Sequence, residues 1–549
     1  MRAKHLAAAA IITSTIVGSV ALAPSWLFQD AKQQVAQAST GSTTRYDIGI
    51  PTVTDIWVSP NGSDSNDGSA STPVQTLDRA WQMIPANQVL STGYRVRFMS
   101  GTYPSAGLPN YMENRFGTAQ APIILQAEGD VQINGNLNIY NVKYFYIVGL
   151  KFTAPNDVLH FEKGDHILIR DVVLRSPNRS AQETIKVNQS QYVYIEDSDI
   201  SGAHDNAIDF VAVQYGHIVG NKVHDAQDWC AYTKGGSAYF IVEGNEFYNC
   251  GTGGFTAGQG TGIQFMTAPW VQYEAYDIKV YNNIIHDIEG AGLGVNGGYN
   301  ILLANNTMYR VGARDHVIEV VFGLHTCDGG DTVACTPTLN AGGWGSTSGE
   351  DVFVGNKNIY IYNNIVYNPS GYRSQWTQFA IYAPRNNTVI GTRGPVQAVT
   401  DNNLQIKGNI IWNGPNAVDL GVGGSEGCKD NNVTCNTAQI LRDNAINTIE
   451  PQFTSASSLD FSLPTSSTIF NAPKFSIPSF SWSDATNNVP VGTTANIINK
   501  DYFSNTREGI VAGAITGIAT IVIPSVLPTQ TPTVAPSPST EPTPTLSPT

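Results

Sequence analysis

The chain has 549 residues, of which 41% are hydrophobic and 13% are charged, so it can bury a large core and is not a disordered polymer. Few charges together with 52 Gly and 24 Tyr are typical of a β-rich, turn-rich secreted protein rather than a helical one. The formal net charge of −14 argues against nucleic acid as a partner, since phosphate binding requires clustered Lys and Arg.

The first residues have the pattern of an export signal. Arg2 and Lys4 form a short basic region, and an apolar run extends from residue 6 to residue 23. We expect residues 1–38 to be a signal peptide or an uncleaved signal anchor, because the run approaches the roughly 20 residues that span a bilayer. Residues 39–54 are expected to form a linker, and the protein is expected to be secreted or associated with a cell wall.

A short helix is predicted near the start of the folded domain. In "TLDRAWQMI", residues 76–84, Thr76 is a suitable N-cap and Asp78 lies in the first turn. Apolar side chains recur at Leu77, Ala80 and Trp81. Such a helix would close the open end of a solenoid, which otherwise exposes unpaired strand edges.

The stretch from about residue 140 to residue 412 repeats a short apolar strand, a two-residue polar bend and a second apolar strand, as in "HIVGNKV", "IVEGNEF" and "KVYNNII". Units this short cannot bury their own apolar face, so they must stack into a solenoid; a propeller would need about 40 residues per blade. Asparagine recurs at one register of the bend and is expected to bond to the next coil, at Asn221, Asn245, Asn283, Asn306, Asn364 and Asn409.

Three further stretches resemble secreted right-handed parallel β-helix proteins of the pectate-lyase-like superfamily. They are "IWVSPNGSDSNDGSASTPVQTLDRAWQMI", then "YRVRFMSGTY", and the closing "DYFSNTREGIVAGA"; the "IVGN" and "VEGN" coils share the resemblance. It implies an all-β, right-handed parallel β-helix of three-strand coils over residues 55–515, with an N-terminal helical cap. That fold hosts lyases, hydrolases, epimerases and binding proteins, so it does not decide the reaction.

Strand periodicity predicts which side chains leave the solenoid. In the strand that precedes each asparagine unit, Ile185, Ile208, Ala231, Leu293 and Ile318 are expected to face inward. The outward side is then polar and is expected to carry Lys186, Asn188, Asp209, Tyr232, Lys234, Gln259, Asn296 and Glu319. Loops that feed the same strands add Glu183, Asp205, Asp228 and, after Arg314, Asp315.

This outward stripe suggests lyase chemistry. Adjacent coils stack about 4.8 Å apart, so Glu183, Asp205, Asp209 and Asp228 could converge on one calcium ion. The arrangement looks like that of calcium-dependent pectate lyases, in which a Lys or Arg abstracts a proton beside the metal. The resemblance therefore implies Lys234 as the base, Lys186 as the second candidate and Arg314 as an electrostatic helper, with calcium as the cofactor and an acidic polysaccharide as the substrate.

Two other functions stay open. A glycoside hydrolase of the same fold would use paired carboxylates, and Asp205, Asp209 and Asp228 could serve. A non-catalytic glycan-binding or surface protein would use aromatic platforms. Candidate substrate-binding residues are Tyr232, Gln259, Asn296, Glu319, Trp229 and Trp270, although such aromatics are equally often loop anchors. The lysines could likewise be ordinary solvated surface.

The six cysteines are even in number, and export permits disulfides. Cys327 with Cys335 and Cys428 with Cys435 are expected to clasp loops, whereas Cys230 and Cys250 could bridge or simply be buried. His224 and His286 come after the asparagine bend at one register, which favours a stacking role. Residues 516–549 are rich in Pro, Thr and Ser and are expected to be a disordered tail. We expect a monomer.

Overall fold

The computed structural model describes residues 43–372, 374–414, 418–485 and 488–516. The predicted signal at residues 1–38 and all but the first residue of the tail predicted at 516–549 lie outside the described residues. In the part of the chain that is described, no helix is long and apolar enough to cross a membrane.

Short strands stack in parallel on three faces, which makes the chain a parallel solenoid with the right-handed connections usual between parallel strands. The first sheet contains Met112–Glu113, Leu137–Tyr140, Leu159–Glu162, Ile185–Asn188, Ile208–Val211, Trp229–Lys234, Gly253–Gly258, Ala291–Asn296, Ile318–Val321 and Phe379–Ile381. The second sheet contains Val53–Val58, Gly93–Pro104, Ile123–Asn134, Lys143–Val148, Asp165–Arg170, Gln191–Glu196, Gln214–Val219, Ser237–Glu243, Ala275–Tyr281, Gly298–Ala304, Lys357–Tyr362 and Gln405–Lys407.

The third sheet joins the second through the long strands of the first coils. It contains Lys151–Thr153, Val173–Arg175, Asp199–Ser201, Lys222–His224, Glu246–Tyr248, Ile284–Ile288, Thr307–Val311, Ile365–Asn368, Ile410–Asn413 and Ala445–Ile446. Insertions add two small sheets, Gly260–Gly262 with Gly323–Thr326 and Val352–Val354, and Arg385–Asn386 with Gln397–Ala398. The α-helices of the described part are Leu77–Gln82, Thr332–Asn340 and Thr437–Asp443. Its 3-10 turns are Ser105–Gly107, Pro177–Arg179, Ile263–Phe265, Asp328–Gly330, Ala456–Ser458 and Thr468–Asn471.

The core is a set of columns in which equivalent residues of successive coils lie on one another. Ile185 is paired with Ile208, and Ile208 with Ala231, and all three are fully buried. Leu293 and Ile318 continue the column, so the predicted inward face is confirmed. Because each coil buries its apolar side against both neighbours, the stack gains its stability from contacts that no single coil could make.

The predicted asparagines form a buried ladder through the corner between the second and third sheets. The side-chain amide of Asn245 donates to Asn283 Oδ1 at 3.0 Å, and the backbone N–H of Asn245 donates to the same oxygen at 3.0 Å. Asn283 repeats both bonds with Asn306. Every rung thus satisfies the backbone of the preceding coil, and the ladder ends on Asn444.

Both ends of the solenoid are closed by helices. Thr76 Oγ1 accepts the backbone N–H of Arg79 at 3.1 Å, and the helix buries Leu77, Ala80 and Trp81, as predicted. At the other end, the helix Thr437–Asp443 begins with a capping box at Asn436. Its Ile440 side chain packs into the main core. This second cap was not among the elements predicted from the sequence.

The terminal segments cover the second sheet. Residues 43–48 fall within the predicted linker, yet the Tyr46 ring stacks on Tyr194 with centroids 4.5 Å apart, and its backbone N–H donates to Glu196. Further along, Phe480 stacks on Tyr360 at 4.9 Å, and Lys279 Nζ donates to backbone and side-chain oxygens after residue 490. The irregular region after residue 450 is therefore a cover for sheet faces whose outward side chains are apolar.

Three disulfides fix the loops. Cys327–Cys335 and Cys428–Cys435 are formed as predicted. Cys230 and Cys250, which the sequence left open, are also bridged and link a strand of the first sheet to the end of the third. The Tyr248 ring lies between His224 and His286 at 4.3 and 5.0 Å, which confirms their stacking role.

Replacing a ladder asparagine should destabilise the whole stack. In Asn283→Ala, two buried N–H groups of Asn245 lose their acceptor, and we expect a loss of about 3 kcal/mol in the free energy of unfolding. The exposed Asn431→Ala should change it by less than about 0.5 kcal/mol. Denaturant unfolding followed by tryptophan fluorescence measures both; equal stabilities would show that the ladder is not structural.

Candidate active site on the first sheet

A lysine held by two carboxylates lies on the outward side of the first sheet. Lys186 and Asp209 are register partners, and Lys186 Nζ lies 3.4 Å from Asp209 Oδ2 and 3.2 Å from Glu183 Oε2. Both acids are buried, whereas about a quarter of the Lys186 side chain is exposed. The other oxygen of Asp209, Oδ1, is buried without a hydrogen-bond partner among the described residues.

Burial and mutual repulsion shape the titration of this cluster. Burial and the Asp209 carboxylate raise the pKa of Glu183 to about 8, so Glu183 holds a proton at neutral pH. Burial disfavours the charged form of Lys186, but Asp209 and Glu183 outweigh it and raise the pKa of the lysine. Burial and Asp209 also raise the pKa of Tyr232 well above its usual range. Lys186 is therefore held as an ammonium.

The four carboxylates predicted to bind calcium do not converge on one point. The Lys186 ammonium already contacts Glu183 and pairs with the Asp209 carboxylate. Asp205 and Asp228 line a cavity of about 510 Å³ between the loops that precede the first sheet. No group of three carboxylates within the described ranges brings its oxygens within 4.8 Å of one another. This donor set does not fit a calcium ion.

Arg314 lies in the same loop cavity as Asp205 and Asp228. Its Nε lies 3.2 Å from Glu289 Oε2, and both side chains are more than half exposed, so the pair is weak and Arg314 is accessible to a ligand. Burial raises the pKa of Asp228. The cavity thus combines accessible cationic and acidic groups at the edge of the first sheet.

Lys234 differs from Lys186 in its partners. Its Nζ donates to Gln259 Oε1 at 3.1 Å and lies 4.5 Å from the centre of the Tyr232 ring. None of the carboxylates in the described part of the chain forms an ion pair with it. Lys234 stays partly exposed on the outward face, so it can meet a substrate.

The turn immediately after Lys234 is held by a buried acid. Glu274 Oε2 accepts the backbone N–H of Gly235 and the hydroxyl of Thr261, both at 2.7 Å. His325 Nε2 lies 3.1 Å from Glu274 Oε1, and neither side chain is exposed. His325 Nδ1 faces the Trp344 carbonyl at 2.8 Å, which requires a proton on Nδ1. Glu274 lies in an insertion outside the repeat, so the repeat gave no signal for it.

The predicted aromatic platforms are packed rather than open. Trp229 lies against Gly253 and Gly294, two positions where any Cβ would collide with or crowd its ring, and only 2% of Trp229 is exposed. Trp270 donates its indole N–H to the Tyr239 hydroxyl at 3.0 Å and is also buried. The loop-anchor alternative therefore describes both tryptophans better than a sugar platform does.

The remaining candidates lie farther along the same face. Asn296 Oδ1 accepts the Thr256 hydroxyl at 2.8 Å. Glu319 Oε2 lies 3.5 Å from His316 Nε2, and His316 Nδ1 lies 2.7 Å from Asp315 Oδ1. Burial lowers the pKa of His316, but the two acids outweigh it and raise the value to about 9. Glu319 is thus paired with an imidazolium.

A family model described as "right handed beta helix region" matches residues 133–307, about a third of the chain. The fold is a right-handed parallel β-helix. This is the fold that the sequence resemblance implied. No curated protein matches the chain significantly in sequence.

Three solved structures illustrate the similarity of this β-helix to known folds. The complex of XylC with xylose is 10% identical, covering 84% of this chain and 98% of that chain, with a TM-score of 0.47. Pectate lyase Pel9A is 16% identical, covering 79% and 95%, with a TM-score of 0.37. The A-module of the Azotobacter vinelandii mannuronan C-5 epimerase AlgE6 is 12% identical, covering 71% and 90%, with a TM-score of 0.34.

The raised pKa of Glu183 predicts a pH dependence of stability. The folded β-helix retains a proton on Glu183 that the unfolded chain loses, so stability should fall as pH rises from about 4.5 to about 8. Glu183→Gln removes this titration and should flatten that part of the curve. Thermal melting points at half-unit pH steps test this; an unchanged slope in the variant would show that Glu183 titrates normally.

The contacts of Glu274 predict contrasting variants. Glu274→Ala strands the Gly235 N–H, the Thr261 hydroxyl and the His325 ring in a dry interior, and should cost about 3 kcal/mol of folding free energy. Glu274→Gln keeps an acceptor for Gly235 and Thr261 and can donate to His325, so it should stay close to the parent. Denaturant unfolding compares them; a Gln variant as unstable as the Ala variant would mean that the charge, not the hydrogen bonding, is required.

Proposed function

We propose that the chain is an extracellular carbohydrate-active enzyme that cleaves a uronate-containing polysaccharide by β-elimination, with Lys234 as the base. The observation that carries the proposal is the contrast between the two lysines of the first sheet. Lys186 contacts Glu183 and is paired with the Asp209 carboxylate, whereas Lys234 has a single amide partner in Gln259 and no ion pair in the described residues. Three disulfides are consistent with an oxidising, extracellular compartment.

The reaction requires a neutral amine at Lys234. The amine removes the proton at C5 of a uronate, the electron pair forms the C4–C5 double bond, and the bond from C4 to the leaving sugar oxygen breaks. The ammonium formed at Lys234 can return its proton to the departing oxygen. Because only an unprotonated amine accepts a proton, turnover should rise as pH increases.

The substrate carboxylate needs positive charge near it, since the carbanion formed at C5 is stabilised by a nearby cation. The Lys186 ammonium is already paired with the Asp209 carboxylate, whereas Arg314, in the loop cavity, has only a weak and exposed partner in Glu289. Arg314 is therefore the cation that we assign to this role. Since the predicted calcium ligands do not converge, no step of the proposal passes through calcium.

The test is absorbance of the unsaturated uronide formed from polygalacturonate, alginate and other uronate polymers. We expect signal from the parent protein and a loss of at least about 100-fold in Lys234→Ala, the lower range for removal of a general base. Lys222→Ala serves as the control, because Lys222 is an exposed lysine on the third sheet. Each assay is run with added calcium and with chelator, and a rate that is the same in both supports elimination without the metal.

A glycoside hydrolase is the second candidate, and one observation favours it. Glu183 holds a proton at neutral pH beside the Asp209 carboxylate, the combination of acid and carboxylate that glycoside hydrolysis uses. New reducing ends without unsaturated product, lost in Glu183→Gln, would replace the lyase by this function. Binding of polysaccharide without turnover would leave a glycan-binding protein.

A further inference from the structure

An arginine with no acid partner among the described residues lies at the C-terminal end of the first sheet. The guanidinium carbon of Arg385 lies 5.2 Å from the centre of the Phe353 ring, 5.5 Å from that of Tyr382 and 5.6 Å from that of Phe322. Its backbone is fixed by the strand pairing of Arg385 with Ala398. Three rings therefore hold the guanidinium in place before any ligand arrives.

The other arginines that stack on rings in the described part of this β-helix use their guanidinium N–H groups within the protein. Arg115, over Trp81, donates to the backbone carbonyls of Ile84 and Glu113. Arg97 lies over Trp57 at 4.3 Å, but it also bonds to Asp55 and Glu128 at 3.1 and 2.7 Å. Arg310 lies over Tyr309 and is paired with Asp287. Arg385 is exposed, and within the described ranges it forms neither an ion pair nor a side-chain hydrogen bond. Its hydrogen-bonding edge is available to a ligand.

The position of Arg385 relates it to Lys234. The strand register places Lys234, Gly258, Asn296 and Val321 in one outward column, and the next residue in that column is Tyr382. Tyr382 thus lies four coils beyond Lys234, about 19 Å away at about 4.8 Å per coil. The side chains between them are small or medium in size, so an extended chain can run along the column.

We propose that Arg385 is a distal subsite that binds the carboxylate of a uronate in a polysaccharide lying along this column. This inference rests on the proposed function for its substrate class. A planar guanidinium with a free edge matches a carboxylate by two parallel hydrogen bonds, a geometry that an ammonium cannot supply. The subsite binds substrate several sugars from the reacting bond, so it contributes affinity for long acidic chains and not to the chemical step.

The test measures binding separately from turnover. Isothermal calorimetry uses protein carrying Lys234→Ala, titrated with a long oligogalacturonate, a disaccharide and the methyl-esterified polymer. Adding Arg385→Ala should weaken binding of the long acidic chain on the order of tenfold, with the disaccharide and the ester unchanged. Arg385→Lys should recover only part of the loss. Arg442→Ala removes the same charge from an exposed helix position and is the control.

Unchanged binding in Arg385→Ala, or an equal loss for the esterified polymer, would overturn the subsite, as would a parent protein that binds no uronate chain. Binding that depends on Arg385 in a parent protein without turnover would support the subsite while refuting the lyase. Turnover of long chains with a KM that is unaffected by Arg385→Ala would support the lyase and refute the subsite. A thermal melting point for each variant confirms that the aromatic cluster still folds.

Discussion

The structure depends on one repeated hydrogen bond. In each coil, the side-chain oxygen of an asparagine accepts the backbone N–H of the asparagine in the coil before it. Asn221, Asn245 and Asn283 are fully or almost fully buried, and the side-chain oxygens of Asn245 and Asn283 each accept two donors from the asparagine of the preceding coil. A buried amide without hydrogen-bond partners lowers the stability of the fold. Every coil must therefore bend at the position and angle that let its asparagine bond to the neighbouring coil. The ladder thereby fixes the register of the sheets on both sides of it.

That register has a chemical consequence on the first sheet. Residues 23 positions apart in sequence, such as Lys186 and Asp209, become direct neighbours, and Tyr232 is next to Asp209 in the adjacent coil. Burial, together with repulsion from the Asp209 carboxylate that stacking holds in place, raises the pKa of Glu183, so Glu183 keeps its proton near neutral pH. A rigid solenoid can therefore hold titratable groups in states that a flexible surface would not sustain.

Periodicity made the repeating part of the fold predictable, and prediction failed where insertions interrupt the repeat. The inward column, the asparagine ladder, the first helical cap and two disulfides could each be predicted from residue spacing. Residues 43–48 and the region after residue 450 cover the solenoid. Their sequences contain no repeat from which this role could be predicted. The same limit applies to Glu274, and to Arg385, whose aromatic neighbours come from three separate segments.

The alternation of inward and outward side chains along a strand predicted that both Lys186 and Lys234 lie on the outward face. It could not distinguish their roles. The distinction lies in neighbours from other coils: Asp209 fixes the charge of Lys186, and Gln259 gives Lys234 only an amide oxygen. Gln259 in turn belongs to the segment that Glu274 ties to the Gly235 turn through Thr261. The buried Glu274–His325 pair therefore links the position of Lys234 to insertions that lie outside the repeating coils. The solenoid supplies the outward face, and the insertions determine where Lys234 points on it.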